Sequence, residues 1–269
     1  MKKLLLFTTL IFAILSLGSC EDEILDPTIT SFDTTISSSK KAIHKSKLQN
    51  REFISKALSN NVIGNTNIRK LQVYTPPGYD INYEPGYAVI YLLHGLPFSE
   101  KAYINTSTWD MWVSQDGFFK TYPDFPENGF QAWVDQLILD EKIDPVIIVM
   151  PNAENRNYGF SWYSDSDLNG NFEQYIAEDV LNFIDKRYNT IKSKHGRAVI
   201  GHSQGGYGAI KMGMKYSDKF SVVAAHGAPL FFYAMPAMNP YIILENPTGL
   251  NGPDPNKFLT SGYYSMAAA

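Results

Sequence analysis

The stretch Ala198-Val199-Ile200-Gly201-His202-Ser203-Gln204-Gly205-Gly206-Tyr207-Gly208-Ala209-Ile210-Lys211-Met212 decides how this chain folds. Three apolar residues run into Gly201-His202-Ser203-Gln204-Gly205, and a segment suited to a helix follows at once. Glycines two places before and two places after the serine remove side chains that would collide in a sharp reversal. The reading is a buried strand, a tight turn with Ser203 at its apex, and a helix. At a helix start the backbone N–H groups lack intrahelical acceptors and the dipole is positive, so negative charge developing near Ser203 is favoured. Five residues with three fixed positions are weak evidence alone; the strand before and the helix after make the pattern specific.

Working outward from that turn, apolar runs and amphipathic segments alternate. Tyr87 to Leu93, Pro145 to Met150 and Phe220 to Ala225 are nearly continuous apolar runs, as expected of strands covered on both faces in a parallel sheet. Ile68 to Tyr74 alternates with period two and stops at Pro76-Pro77-Gly78, which predicts an edge-type strand. Phe130, Trp133, Val134, Leu137 and Ile138 recur at helical steps, as do Phe172, Tyr175, Ile176, Val180, Phe183, Ile184 and Tyr188. The expected class is α/β, a mainly parallel sheet flanked by helices. The insertion 97–128, with Trp109, Trp112, Phe118 and Phe119, follows a strand's carboxyl end, where open α/β sheets place a ligand crevice. Its aromatics read equally as core or as a stacking wall.

Composition limits the function classes. The 269 residues are 44% hydrophobic and 19% charged with a formal charge of −4, so the chain can bury a sizeable core and carries no electrostatic footprint for nucleic acid. One cysteine excludes an internal disulfide scaffold. Met1-Lys2-Lys3 followed by the apolar run Leu4 to Leu17 is too short to span a bilayer and reads as a signal peptide over residues 1–19. It ends in Leu17-Gly18-Ser19-Cys20, which resembles a bacterial lipobox, with Cys20 as the lipidated residue. The expected location is therefore a bacterial membrane, at the cell surface or in the periplasm, through a lipid anchor. Residues 20–50 read as a flexible tether and 51–269 as the folded domain, with Leu48, Ile54 and Leu58 as the candidates for one short amphipathic helix.

A serine presented in this way performs acyl transfer only if a second backbone donor faces the oxyanion, and the loop after the strand ending at Leu93 is the place for it. His94-Gly95-Leu96 stands there, with Gly95 permitting close approach and the N–H groups of Leu96 and Gln204 converging. His94 and His202 are tempting as bases, but each is fixed beside a glycine turn and reads as structural. Segments Val73–Tyr79, Val89–Gly95, Ile148–Asn152, Tyr163–Ser166, Asn171–Ile176 and Asp179 precede the serine turn in order. In these segments and the turn, the chain resembles the putative-esterase family of α/β-hydrolases. That family holds feruloyl and acetyl-xylan esterases, S-formylglutathione hydrolases, enterochelin esterases and mycolyltransferases. The resemblance implies a serine carboxylic-ester hydrolase with Ser203 as nucleophile, Leu96 and Gln204 as the oxyanion hole, and no cofactor. Combined with the anchor, it implies acylated polysaccharide, bearing feruloyl or acetyl groups, as the substrate, with siderophore esters second.

The order of the triad in this fold is Ser, then Asp or Glu, then His. Sixty-six residues follow Ser203, with one histidine, His226, and the acids Asp218, Glu245 and Asp254. After Gly227 the sequence is rich in Pro, Asn and Gly, and neither a further strand–helix unit nor a C-terminal helix is legible. The expectation is a hydrolase sheet lacking its last strand–helix units, a truncated chain with little or no activity of its own. The rival is a non-catalytic glycan-binding surface lipoprotein on a degenerate hydrolase fold. The five histidines show no metal-ligand spacing, so no metal is called for.

Overall fold

The computed structural model describes residues 45–95, 99–104, 129–155, 159, 161–230, 239–246, 257, 260 and 262. All fall within one compact unit, Ile43–Ala269. The strands are β1 (Lys47–Ile54), β2 (Ile68–Thr75), β3 (Ala88–Leu93), β4 (Val146–Pro151), β5 (Arg197–His202) and β6 (Val222–His226). They form one sheet in the order β1-β2-β4-β3-β5-β6. The pairs β4–β3, β3–β5 and β5–β6 are parallel, whereas β1–β2 and β2–β4 are antiparallel. The expected mainly parallel sheet is present, with an antiparallel hairpin added at one side.

Helix α1 (Gly129–Leu139) follows the insertion, and the long amphipathic segment forms α2 (Phe172–Gln174), a π-helical turn (Tyr175–Val180) and α3 (Leu181–Arg187) in direct succession. Helix α4 (Gln204–Lys215) leaves the serine turn, and α5 (Asn239–Glu245) comes last. The period of two along β4 divides the core. Ile147 and Val149 pack with Phe172, Tyr175, Ile176, Val180 and Ile184 on one face of the sheet. Val146, Ile148 and Met150 pack with Phe130 and Val134 of α1 on the other. Both faces are thus covered, which is why the inner strands read as unbroken apolar runs.

Three expectations are corrected. Residues 47–54, expected as tether and short helix around Leu48 and Ile54, form β1 in register with all of β2, from Lys47 opposite Thr75 to Ile54 opposite Ile68. Residues 47–50 of the stretch assigned to the tether therefore belong to the sheet. In Lys47-Leu48-Gln49-Asn50-Arg51-Glu52-Phe53-Ile54 only three residues are apolar, so pairing with β2 rather than burial makes it a strand. For the same reason β2 is an inner strand: its second half, Leu71 to Thr75, is buried throughout. Finally, a helix does occur beyond Gly227. α5 carries Pro240 in its first turn, where a missing N–H costs no hydrogen bond, and buries Ile242; at seven residues it is too short to show a period. Among the described residues β6 pairs only with β5, and all five of its residues are exposed. No helix of the described residues is long and apolar enough to cross a membrane. Leu4 to Leu17, Cys20 and the insertion's Trp109, Trp112, Phe118 and Phe119 lie outside the described residues.

Candidate active site

Strands β3 and β5 run side by side with Leu93 opposite Gly201, so the segments leaving their carboxyl ends emerge together. From β5 the chain turns at Ser203, whose φ of 56° and ψ of −123° lie in a region that residues with a side chain seldom enter. The turn is held on both sides. The Ser203 N–H donates to the His226 carbonyl at 2.9 Å, and the Ser203 carbonyl accepts from Tyr207 N–H at 3.1 Å. A Cβ on Gly201 would fall on the Gly205 carbonyl, and one on Gly205 would fall on the Leu93 carbonyl. Those two glycines are sterically required, as the sequence pattern implied. Strain at a single serine, enforced by its neighbours, is how a hydroxyl is held proud of the sheet at a helix N-terminus.

Gln204 is the first residue of α4, so its backbone N–H is among those that a helix leaves without an internal acceptor. On the β3 side Gly95 closes against the serine: a Cβ there would stand 3.0 Å from both the Ser203 Cβ and the His202 carbonyl oxygen. Leu96, expected to supply the second oxyanion donor, lies outside the described residues. The structure thus places Ser203, Gln204 and the backbone leading to Leu96 in one corner.

His94 is buried, and both ring nitrogens are engaged. Ala153 N–H donates to Nε2 at 2.9 Å, so the proton sits on Nδ1, which donates to the Gly95 carbonyl at 2.8 Å. Burial pushes its pKa down to about 4. A neutral imidazole with both nitrogens committed shapes the loop and cannot serve as a base. His202 stacks on His226, ring centroids 5.1 Å apart at 27°. Burial, then the neighbouring His226, lowers its pKa to about 4. His226, the one histidine that follows Ser203, is exposed at the end of β6. Asp218 precedes β6, at the end away from His226. Among the described residues no group of three or more His, Cys, Asp or Glu is arranged to hold a metal.

Sequence reasoning missed the turn Ser161-Trp162-Tyr163. Trp162 and Tyr163 both have positive φ, 52° and 46°. Bulky residues give no warning of that conformation, which Gly or Asn would. The Gln204 side-chain Oε1 accepts from Ser161 N–H at 3.0 Å and from Trp162 N–H at 2.7 Å. The Tyr163 hydroxyl donates to the His94 carbonyl at 2.8 Å. Behind the turn, Glu173 is buried and takes ion pairs from Lys211, at 2.6 Å, and from Lys215. Burial pushes the Glu173 carboxyl up, but the two lysines outweigh it and hold the pKa below its ordinary value.

A family model described as "Putative esterase" matches residues 65–239, well over half of the chain and including this corner. The chain belongs to that esterase family. Two curated relatives from Mycobacterium tuberculosis, Esterase Rv1288 and Esterase MT1326, are each 36% identical over 89 residues, 32% of this chain. The chain aligns with only 19% of the length of each. Among solved structures, a ferulic acid esterase has 26% identity and a TM-score of 0.49, covering 66% of this chain and 58% of that one. The ferulic acid esterase Fae1A of Anaeromyces mucronatus has 20% identity and a TM-score of 0.48, over 72% of this chain and 62% of that one. The Staphylococcus aureus serine hydrolase FphF has 17% identity and a TM-score of 0.49, over 83% of this chain and 75% of that one. In this esterase-family chain the corner is built from Gly201, Gly205 and the strained Ser203.

Proposed function

We propose that the chain is a serine carboxylic-ester hydrolase that acts on acyl esters outside the cytoplasm, with feruloyl or acetyl groups on plant polysaccharide as the substrate class. The observation that carries the reading is the enforced conformation of Ser203, at the start of α4 and against Gly95. The Ser203 Oγ attacks the acyl carbon while its proton passes to a base. The carbonyl oxygen becomes an oxyanion held by the N–H groups of Gln204 and Leu96. The C–O bond to the alcohol then breaks, the alcohol leaves with a proton, and an acyl-enzyme remains on Ser203. Water adds to that ester, the second tetrahedral intermediate collapses, and the acid is released with the serine restored. The donors act because they are in place before charge develops; loss of one such donor costs about 2.7–4 kcal/mol of transition-state stabilisation. Nothing in this cycle calls for a cofactor.

Lipidation of Cys20 would hold the domain at the membrane, where it meets polymers rather than cytosolic thioesters; the Leu17-Gly18-Ser19-Cys20 motif supports this. Exposure of the purified full-length gene product to a fluorophosphonate probe, followed by peptide mass spectrometry, tests the chemistry. An adduct on the Ser203 peptide, absent from Ser203→Ala, is the expected result. A folded protein that acquires no adduct rejects the hydrolase and leaves the non-catalytic glycan binder. Release of ferulate from methyl ferulate or of acetate from acetylated xylo-oligosaccharides, against hydrolysis of a siderophore triester, separates the substrate classes. Cys20→Ala should move the protein to the soluble fraction; retention at the membrane rejects the anchor.

A further inference from the structure

We propose that the turn Ser161-Trp162-Tyr163 is a brace that positions the oxyanion donor on Gln204 against the segment leaving β3 at His94, and that the Gln204 carboxamide and the Tyr163 hydroxyl are its two positioning groups. The proposal rests on the hydrolase reading above and adds a function for residues outside the reacting corner. Gln204 bears one of the oxyanion N–H groups on its backbone, while its side-chain Oε1 is tied to two backbone N–H groups of the turn, Ser161 and Trp162. Among the described residues its Nε2 is buried without a hydrogen-bond partner, and the oxygen makes the contacts that hold the carboxamide. Two residues further on, the Tyr163 hydroxyl donates to the His94 carbonyl, on the segment that leads from β3 to the other rim.

The turn therefore bridges α4 to the end of β3, with two hydrogen bonds to Gln204 and one to the His94 carbonyl. It is also held in place itself. The Tyr163 ring is fully buried against Gly208 of α4, where a Cβ would stand 2.6 Å from the ring carbons. Its hydroxyl partner, the His94 segment, is pinned in turn by the Ala153 N–H to His94 Nε2 bond. Left-handed conformations at two consecutive aromatic residues are unfavourable and persist only where the surroundings enforce them. Here that conformation aims two successive N–H groups at one carboxamide oxygen and the next hydroxyl at the His94 carbonyl. An oxyanion site is useful only if its donors are placed before charge appears, and a displacement of about 1 Å costs up to about 100-fold in rate.

The test is the rate of phosphonylation of Ser203 by a fluorophosphonate, resolved into the maximal rate and the half-saturating probe concentration, in wild type, Tyr163→Phe, Gln204→Met and the double variant. The brace predicts that each single variant lowers the maximal rate about tenfold and leaves the half-saturating concentration within about twofold. Because both groups act through one turn, the double variant should fall short of the product of the single effects. General loosening of the fold would instead lower the fraction of protein labelled at an unchanged rate; that result, or single variants labelled at the wild-type rate, overturns the brace while the labelled wild type upholds the hydrolase. An unlabelled wild type overturns both. If Gln204→Met does not fold, Tyr163→Phe, which removes one oxygen and keeps the ring, carries the test alone.

Discussion

Gly95 and Ser203 abut across the seam between β3 and β5, so closely that a methyl group on Gly95 would stand 3.0 Å from the Ser203 Cβ. The same methyl would meet the His202 carbonyl oxygen at 3.0 Å. Gly95→Ala therefore forces the loop and the serine apart by a few tenths of an ångström, which strikes donor placement before it strikes the core. Labelling of Ser203 should slow by about tenfold or more, while thermal stability changes by no more than about 1–2 kcal/mol. A variant with unchanged labelling would show that the loop's position is irrelevant to the chemistry.

The strain at Ser203 predicts a trade-off between stability and activity. Ser203→Ala retains the unfavourable backbone conformation, whereas Ser203→Gly relieves it. Both abolish labelling, but the glycine variant should be more stable than the alanine variant by about 1 kcal/mol in urea denaturation. Equal midpoints would mean that the backbone at 203 stores no strain.

Gly205→Ala is expected to be severe. Its Cβ would overlap the Leu93 carbonyl, which is backbone and cannot rotate away, so β3 or α4 must shift. A loss of about 3 kcal/mol or more, or failure to accumulate folded protein, is the expected outcome. Gly78→Ala makes a useful control, because no atom lies within 4 Å of the added Cβ there; only its positive φ of 73° opposes the change.

His94 ties stability to pH. Its folded pKa of about 4 lies below the ordinary 6.5 because burial disfavours the imidazolium. Between those values the unfolded chain binds a proton that the native chain refuses, so stability falls as pH drops from about 6.5 to about 4. The full effect of one such group is roughly 3 kcal/mol. Denaturation midpoints measured across that window should show the slope in wild type and a shallower one in His94→Gln.

The two lysines on Glu173 should differ in worth. The Lys211 side chain is 21% exposed and that of Lys215 is 54% exposed, while the Glu173 side chain is 3% exposed. Lys211→Met removes the better-shielded partner of a buried carboxylate and should cost about 2–3 kcal/mol. Lys215→Met should cost less than about 1 kcal/mol, since water screens that pair. Chemical denaturation of the two variants decides the order.

The serine turn was legible because its requirements are local. Gly201 and Gly205 answer to clashes within a few residues, and the apolar runs of β3, β4 and β5 answer to burial, which composition reports directly. The helical stripe from Phe172 to Tyr188 was legible for the same reason, since all seven residues that recur along it are buried. β1 was not legible, because a polar eight-residue segment becomes a strand only when β2 offers it hydrogen bonds along its whole length.

From the sequence alone came the α/β class, the position of Ser203, and the corner where Gln204 and the loop after β3 converge, because side-chain size and hydrophobic period act over short stretches of chain. Tertiary structure alone decided that His94 links Ala153 to Gly95 through its two ring nitrogens, that His202 stacks on His226, and that Gln204 grips the turn at Ser161 and Trp162. Those relationships join residues up to some sixty positions apart by hydrogen bonds and burial, and neither leaves a period or a spacing that a linear reading can detect.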